Sequence, residues 1–142
     1  MIAIWNFSVS YQVLGLLHIL ATVLAFGPLF VYPTLRKAGA TASVAKLHMT
    51  IAFPAMTLLW VFGMGLAGMS EDTFKLSQTW LVGALAVWAV LMAVSWFLIK
   101  PSLIDHSEDA TKKLAAGIGI THLGLIIGLV LMIWKPGAPS GF

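Results

Sequence analysis

The stretch "LLHILATVLAFGPLFVYP", Leu16–Pro33, decides the fold class. It carries one titratable side chain outside tyrosine, His18, and no Lys, Arg, Asp or Glu. A helix that crosses the hydrocarbon core of a bilayer needs about 20 apolar residues. Extended back to Tyr11, this stretch supplies them, and three further runs do the same. The four spans read as Tyr11–Pro33, Leu47–Gly68, Trp80–Ile99 and Leu114–Trp134.

Composition points the same way. Of 142 residues, 60% are hydrophobic and 9% charged, and the mean hydropathy is +0.98; a soluble domain is about 25% charged. The charges fall in the separators Thr34–Lys46, Met69–Thr79 and Lys100–Lys113. A pI near 9.5 therefore reflects loop cations that face anionic lipid, the partner this composition predicts. No basic patch with interleaved aromatics is present, which argues against nucleic acid. With no cysteine, disulfides and thiolate metal sites are excluded. No Lys or Arg precedes Arg36, so the first run lacks the positive start of a cleaved signal and reads as a true span.

Loop charge predicts orientation. The first and third loops share a side and carry Arg36, Lys37, Lys46, Lys100, Lys112 and Lys113, against Lys75 and Lys135 on the other. The positive-inside rule places those two loops in the cytoplasm and both termini outside. Short loops favour neighbouring antiparallel helices. The expected fold is an all-α, four-helix transmembrane bundle, up-down-up-down, as one domain integral to the cell membrane. Trp5, Tyr11, Trp80 and Trp134 are expected in the outer aromatic belt, Tyr32 and Trp96 in the inner one. "FLIKPSL" and "MIWKPGA" each place a snorkelling lysine before a proline that should stop the helix.

Two prolines lie inside spans. Pro28 and Pro54 free the carbonyls of Leu24 and Thr50, so each can bend its helix and open internal space. "GLIIG", Gly124–Gly128, is a GxxxG pattern that suits close helix crossing, within one chain or between two.

The chemistry rests on histidine. His18 and His122 lie well inside spans, His48 enters the second span at its cytoplasmic end, and His106 sits in the loop "DHSED". No Asp or Glu lies within a span, which argues against carboxylate proton relays and di-metal carboxylate sites. A neutral imidazole can hold haem iron or copper with one nitrogen while the other donates a hydrogen bond. Gly15 and Thr22 share a helix face with His18: the glycine makes room for a ring, and the threonine can hold its second nitrogen. Gly119 precedes His122 by the same spacing. The candidate cofactor-binding residues are thus His18, His122, His48, Thr22, Gly15 and Gly119, with His18 and His122 as metal ligands.

Depth separates the options. At 1.5 Å per residue, His18 and His122 are offset by about 9 Å, and His48 and His122 by about 10 Å. A single-histidine haem b, or copper completed by methionine or water, therefore fits more easily than a bis-histidine site. Met49, Met56, Met64, Met92 and Met132 are soft ligands or apolar filler. The mid-span indoles of Trp60 and Trp88 want an acceptor, either a ligand or a backbone carbonyl beside a packed pair. No nucleophile–base pair, phosphate loop or zinc helix is present.

"LHILATVLAFGPLFVYPTLR" in the first span and "HLGLIIGLVLMIWKPG" at the end resemble an uncharacterised family of small bacterial integral membrane proteins, a numbered domain of unknown function. That family is itself similar to the copper-resistance D and HemJ-type four-helix proteins. In the HemJ-type group a histidine of the first span is associated with haem, and His18 is the matching position. At Ala25–Pro28, "AFGP" lacks the tryptophan that commonly precedes the glycine there. Two functions stand open. One is a protein holding haem b, or copper, through an intramembrane histidine in redox or cofactor handling. The other is a non-catalytic accessory subunit of a larger respiratory or photosynthetic membrane complex.

Overall fold

The computed structural model describes residues 8–70 and 73–138. All regular structure among them is helical, with no strand. Four long helices follow the four apolar runs: α1 (Val9–Lys37), α2 (Thr41–Gly68), α3 (Thr79–Ser102) and α4 (Glu108–Trp134). Each is long and apolar enough to cross a membrane. The helices extend past the expected spans mainly where the chain carries its charges, at residues 34–46 and 100–113. We call this the basic end.

Local chemistry sets the helix limits. The Ser8 hydroxyl accepts from the Tyr11 N–H at 3.3 Å, and that of Ser107 from Ala110 at 3.1 Å, satisfying donors that a first turn leaves open. Glu108 and Asp109 occupy the first turn of α4, where the helix dipole favours negative charge. At its other end α1 reverses through Gly39, whose φ of 77° is costly for any residue with a Cβ. Its N–H reaches Arg36 O at 3.0 Å, and the Ala40 N–H reaches Leu35 O at 2.9 Å. The chain leaves α4 through Lys135 in the left-handed region, with φ 42°, and Pro136 follows.

The two lysine–proline pairs behave differently. Pro136 lies beyond the end of α4, but Pro101 sits inside α3, which continues to Ser102. What lets the helix pass is a π turn at Ser95–Ile99, closed by the Lys100 N–H on Ser95 O. A second π turn, His48–Ala52, is closed by the Phe53 N–H on His48 O and precedes Pro54 in α2 at the same spacing. A proline ring collides with the carbonyl four residues back in a regular helix. A wider turn moves that carbonyl aside.

The helices pack in two pairs. Along α1 and α2, Leu14 lies against Gly65, His18 against Gly63 and Tyr32 against His48. Along α3 and α4, Gly83 lies against Leu131, Leu91 against Gly124 and Ile99 against Gly117. In each pair residue numbers rise on one helix as they fall on the other. Between the pairs, a core at the basic end gathers Leu29, Tyr32, Val44, Ala52, Ile99, Leu103, Leu114 and Ile118. A second core, further along, joins Ala25, Phe26, Ala55, Met56 and Leu91. Much of the remaining apolar surface points outward: Phe97, Leu123 and Ile133 are all well exposed. A soluble monomer rarely carries apolar surface on this scale.

The aromatic residues expected in belts differ in exposure. Trp134 is exposed, and Trp96 is half-exposed with the Lys100 ammonium 3.2 Å from its ring centroid. Tyr11, Tyr32 and Trp80 instead turn inward and are buried. The Tyr32 hydroxyl meets His48, and Trp80 Nε1 donates to Gln78 Oε1 at 2.8 Å. Trp5 lies outside the described residues.

Candidate functional site

The histidines of the helices occupy three separate environments. At the basic end His48 is fully buried. Its Nδ1 lies 3.2 Å from the Tyr32 hydroxyl and its Nε2 3.0 Å from the Ser95 hydroxyl. Both π turns begin at this contact, one with His48 and one with Ser95. Each ring nitrogen is already engaged, so His48 offers no lone pair to a cofactor unless this chain of bonds is broken. Arg36 closes the same end, donating to the carbonyls of Ser102 at 2.7 Å and Asp105 at 2.8 Å.

His18 lies in the other half of the molecule, on the wall of a cavity of about 340 Å³ to which all four helices contribute. Glycines make the space: Gly15, Gly63, Gly124 and Gly128 line it. A Cβ on Gly63 would stand 3.0 Å from His18 Cε1 and 3.5 Å from Nδ1, so glycine lets the imidazole pack closely against α2 and a larger residue would make the ring shift. Nδ1 is buried there without a hydrogen-bond partner among the described residues. The Leu59 backbone lies beside the ring but outside hydrogen-bond geometry. Of the two ring nitrogens only Nδ1 is sealed off in this way.

Thr22 does not hold the ring, contrary to expectation. Its hydroxyl donates to the backbone carbonyl of His18 at 2.9 Å, the bond a threonine on a helix makes with the turn before it. Gly15 is buried on the cavity wall, where a Cβ would meet Leu66 Cδ2 at 4.0 Å.

His122 does not share this cavity. Its ring stacks on Phe30, with centroids 4.0 Å apart and planes 18° apart, and its Nε2 is buried without a partner among the described residues. Gly119, one turn earlier, is exposed, and a Cβ there would meet nothing within 4 Å. These two expected cofactor residues therefore sit apart from His18. Among the described residues no three His, Cys, Asp or Glu side chains gather to hold a metal.

The tryptophan pair follows the simpler of its two options. Trp60 and Trp88 stack across the cavity wall at 5.5 Å, and Trp88 Nε1 donates to Met56 O at 2.8 Å. Of the methionines, Met56, Met64 and Met132 line the cavity.

The sequence alone pointed to neither Ser95 nor Lys135 as part of a site. Ser95 is the lone hydroxyl in the run Trp80–Ile99, a usable signal. Lys135 reads as an interfacial lysine, yet it lines the cavity mouth, its ammonium 4.7 Å from the Phe74 ring centroid. Phe74 in turn meets Trp80 edge-on at 5.5 Å. Burial pushes the Lys135 ammonium below the usual lysine range.

Comparison with protein-family models, with curated proteins and with solved structures finds no match.

Proposed function

We propose that this chain is an inner-membrane protein that holds haem b through His18, with copper as the alternative metal, in redox or cofactor handling. One observation carries the proposal: the imidazole of His18 lines an apolar cavity with one nitrogen buried against Gly63 and the other not sealed. Imidazoles that ligate metals are oriented by a hydrogen bond from their second nitrogen, for which the Leu59 backbone beside the ring is the nearby group. The reversed contacts within each helix pair support an up-down-up-down bundle. Loop charge supports cytoplasmic placement of the basic end, with both termini outside.

The residues present fit a single-histidine site. The walls are apolar, glycines leave room for a flat ring, and the Met64 thioether is in the lining. They do not fit a bis-histidine site, because His48 is engaged elsewhere and His122 lies outside the cavity. A haem so held supplies one-electron chemistry. The chain would orient it through His18 and keep water from it with Trp60, Trp88 and the leucines around them.

Colour tests this. Full-length protein purified in detergent and supplied with haem b is expected to give a Soret band that His18→Ala abolishes and His122→Ala retains. A protein that stays colourless with haem and takes up no copper overturns the proposal.

The satisfied state of His48 favours the second function, an accessory subunit of a larger respiratory or photosynthetic complex. There, polar groups within the membrane serve packing alone. Stoichiometric co-purification of a colourless protein with larger subunits would support it.

A further inference from the structure

The cavity has two basic side chains at different depths. His18 lies on its wall, and Lys135 stands at its mouth beside Phe74 and Trp80. Among the described residues no carboxylate lines the cavity, and Lys135 forms no ion pair. Tyr11 and Thr22 also line the wall, which is otherwise apolar and aromatic. A cation that is partly desolvated and unpaired at the end of an apolar slot favours an anion there.

We infer that Lys135 selects the ligand by charge: the cavity takes an amphipathic anion whose apolar body lies along Trp60, Trp88 and His18 and whose carboxylate meets the Lys135 ammonium at the mouth. This rests on the proposal that the cavity holds a ligand, and for haem b the carboxylate is a propionate. An acyl chain ending in a carboxylate has the same chemistry. Position supports the assignment. Lys135 is fixed at the last turn of α4 by its N–H bond to Leu131 O at 3.0 Å, and its left-handed backbone turns the chain there. Its neighbour on that side of the molecule, Lys75, is exposed and does not line the cavity.

The test uses the full chain in detergent, titrated with haemin and with haemin dimethyl ester, the Soret band reporting binding. Haemin is expected to bind about tenfold tighter than the ester. Lys135→Gln should remove that preference, while Lys135→Arg and Lys75→Gln keep it. Equal affinity for acid and ester overturns the role of Lys135 and leaves that of His18 standing. If neither haemin compound binds, the haem proposal falls, and a second arm decides this one. Dibromostearic acid and its methyl ester are then compared by quenching of tryptophan fluorescence. Preference for the acid that disappears in Lys135→Gln supports the inference with an acyl ligand. No preference overturns it.

Discussion

Tyr32, His48 and Ser95 come from three helices and meet in one fully buried chain of hydrogen bonds. Removing the imidazole strands both hydroxyls away from water and leaves a void, whereas removing one hydroxyl costs a single bond. His48→Ala is therefore expected to lower unfolding free energy by about 2–4 kcal/mol, and Tyr32→Phe by about 0.5–1.5 kcal/mol. Unfolding by graded denaturant in mixed micelles measures both. Once His48 is gone, Tyr32→Phe should cost almost nothing further, since the two share one interaction. That a histidine lay within the second span was legible in the sequence. Its partners were not, because they lie 16 and 47 residues away and no local periodicity relates them. The same blindness applies to Thr22: spacing placed it on the His18 face, but a helical hydroxyl can turn to its own backbone instead.

At the scale of the helix, glycines divide by what faces them. Gly124 is buried, and a Cβ there would stand 2.6 Å from Leu91 Cδ2 and 3.0 Å from its Cγ, so the whole isobutyl group would have to move. Gly119 faces open space. Gly124→Ala is expected to destabilise by about 1–3 kcal/mol through overpacking. Gly119→Ala should stabilise by about 0.5–1 kcal/mol through helix propensity. Thermal unfolding of the two variants should show opposite signs. The four apolar runs were plain in the sequence because hydrocarbon thickness dictates their length. Their overrun at the basic end was not, since polar residues extend a helix without changing hydropathy in its favour. Nor was the persistence of α3 through Pro101, where the sequence suggested a stop. Proline reports a lost donor and a clash, and whether the helix ends or widens depends on packing beyond it.

For the molecule as a whole, the two helix pairs are fastened at one end and separated at the other. Arg36 of α1 reaches across to the Ser102 carbonyl at the end of α3, to the Asp105 carbonyl in the loop that follows and to Thr111 Oγ1 of α4. Arg36→Gln is expected to cost about 1–2 kcal/mol and to speed proteolysis within residues 103–107. Asp105 holds that loop through the Ser107 N–H and hydroxyl, at 2.8 Å and 3.0 Å. The Ser107 backbone bond, then its hydroxyl, keep the Asp105 carboxyl below its ordinary range. Because folding lowers this pKa, the contribution is complete above the unfolded value and is lost as pH falls through the folded one. Tm should therefore decline below about pH 4, less steeply in Asp105→Asn.

Each π turn holds one residue more than the α-helical turn it replaces. Loss of a single residue such as Thr50 would let α2 rewind as a plain α-helix. The segments on either side would keep their facing, because the wide turn had already absorbed the extra residue, whereas a residue lost from the regular part of α2 would swing everything beyond it by about 100° about the axis. A one-residue deletion should therefore be tolerated better inside a π turn than in the helix beside it, at the cost of returning the proline ring to the carbonyl four residues back.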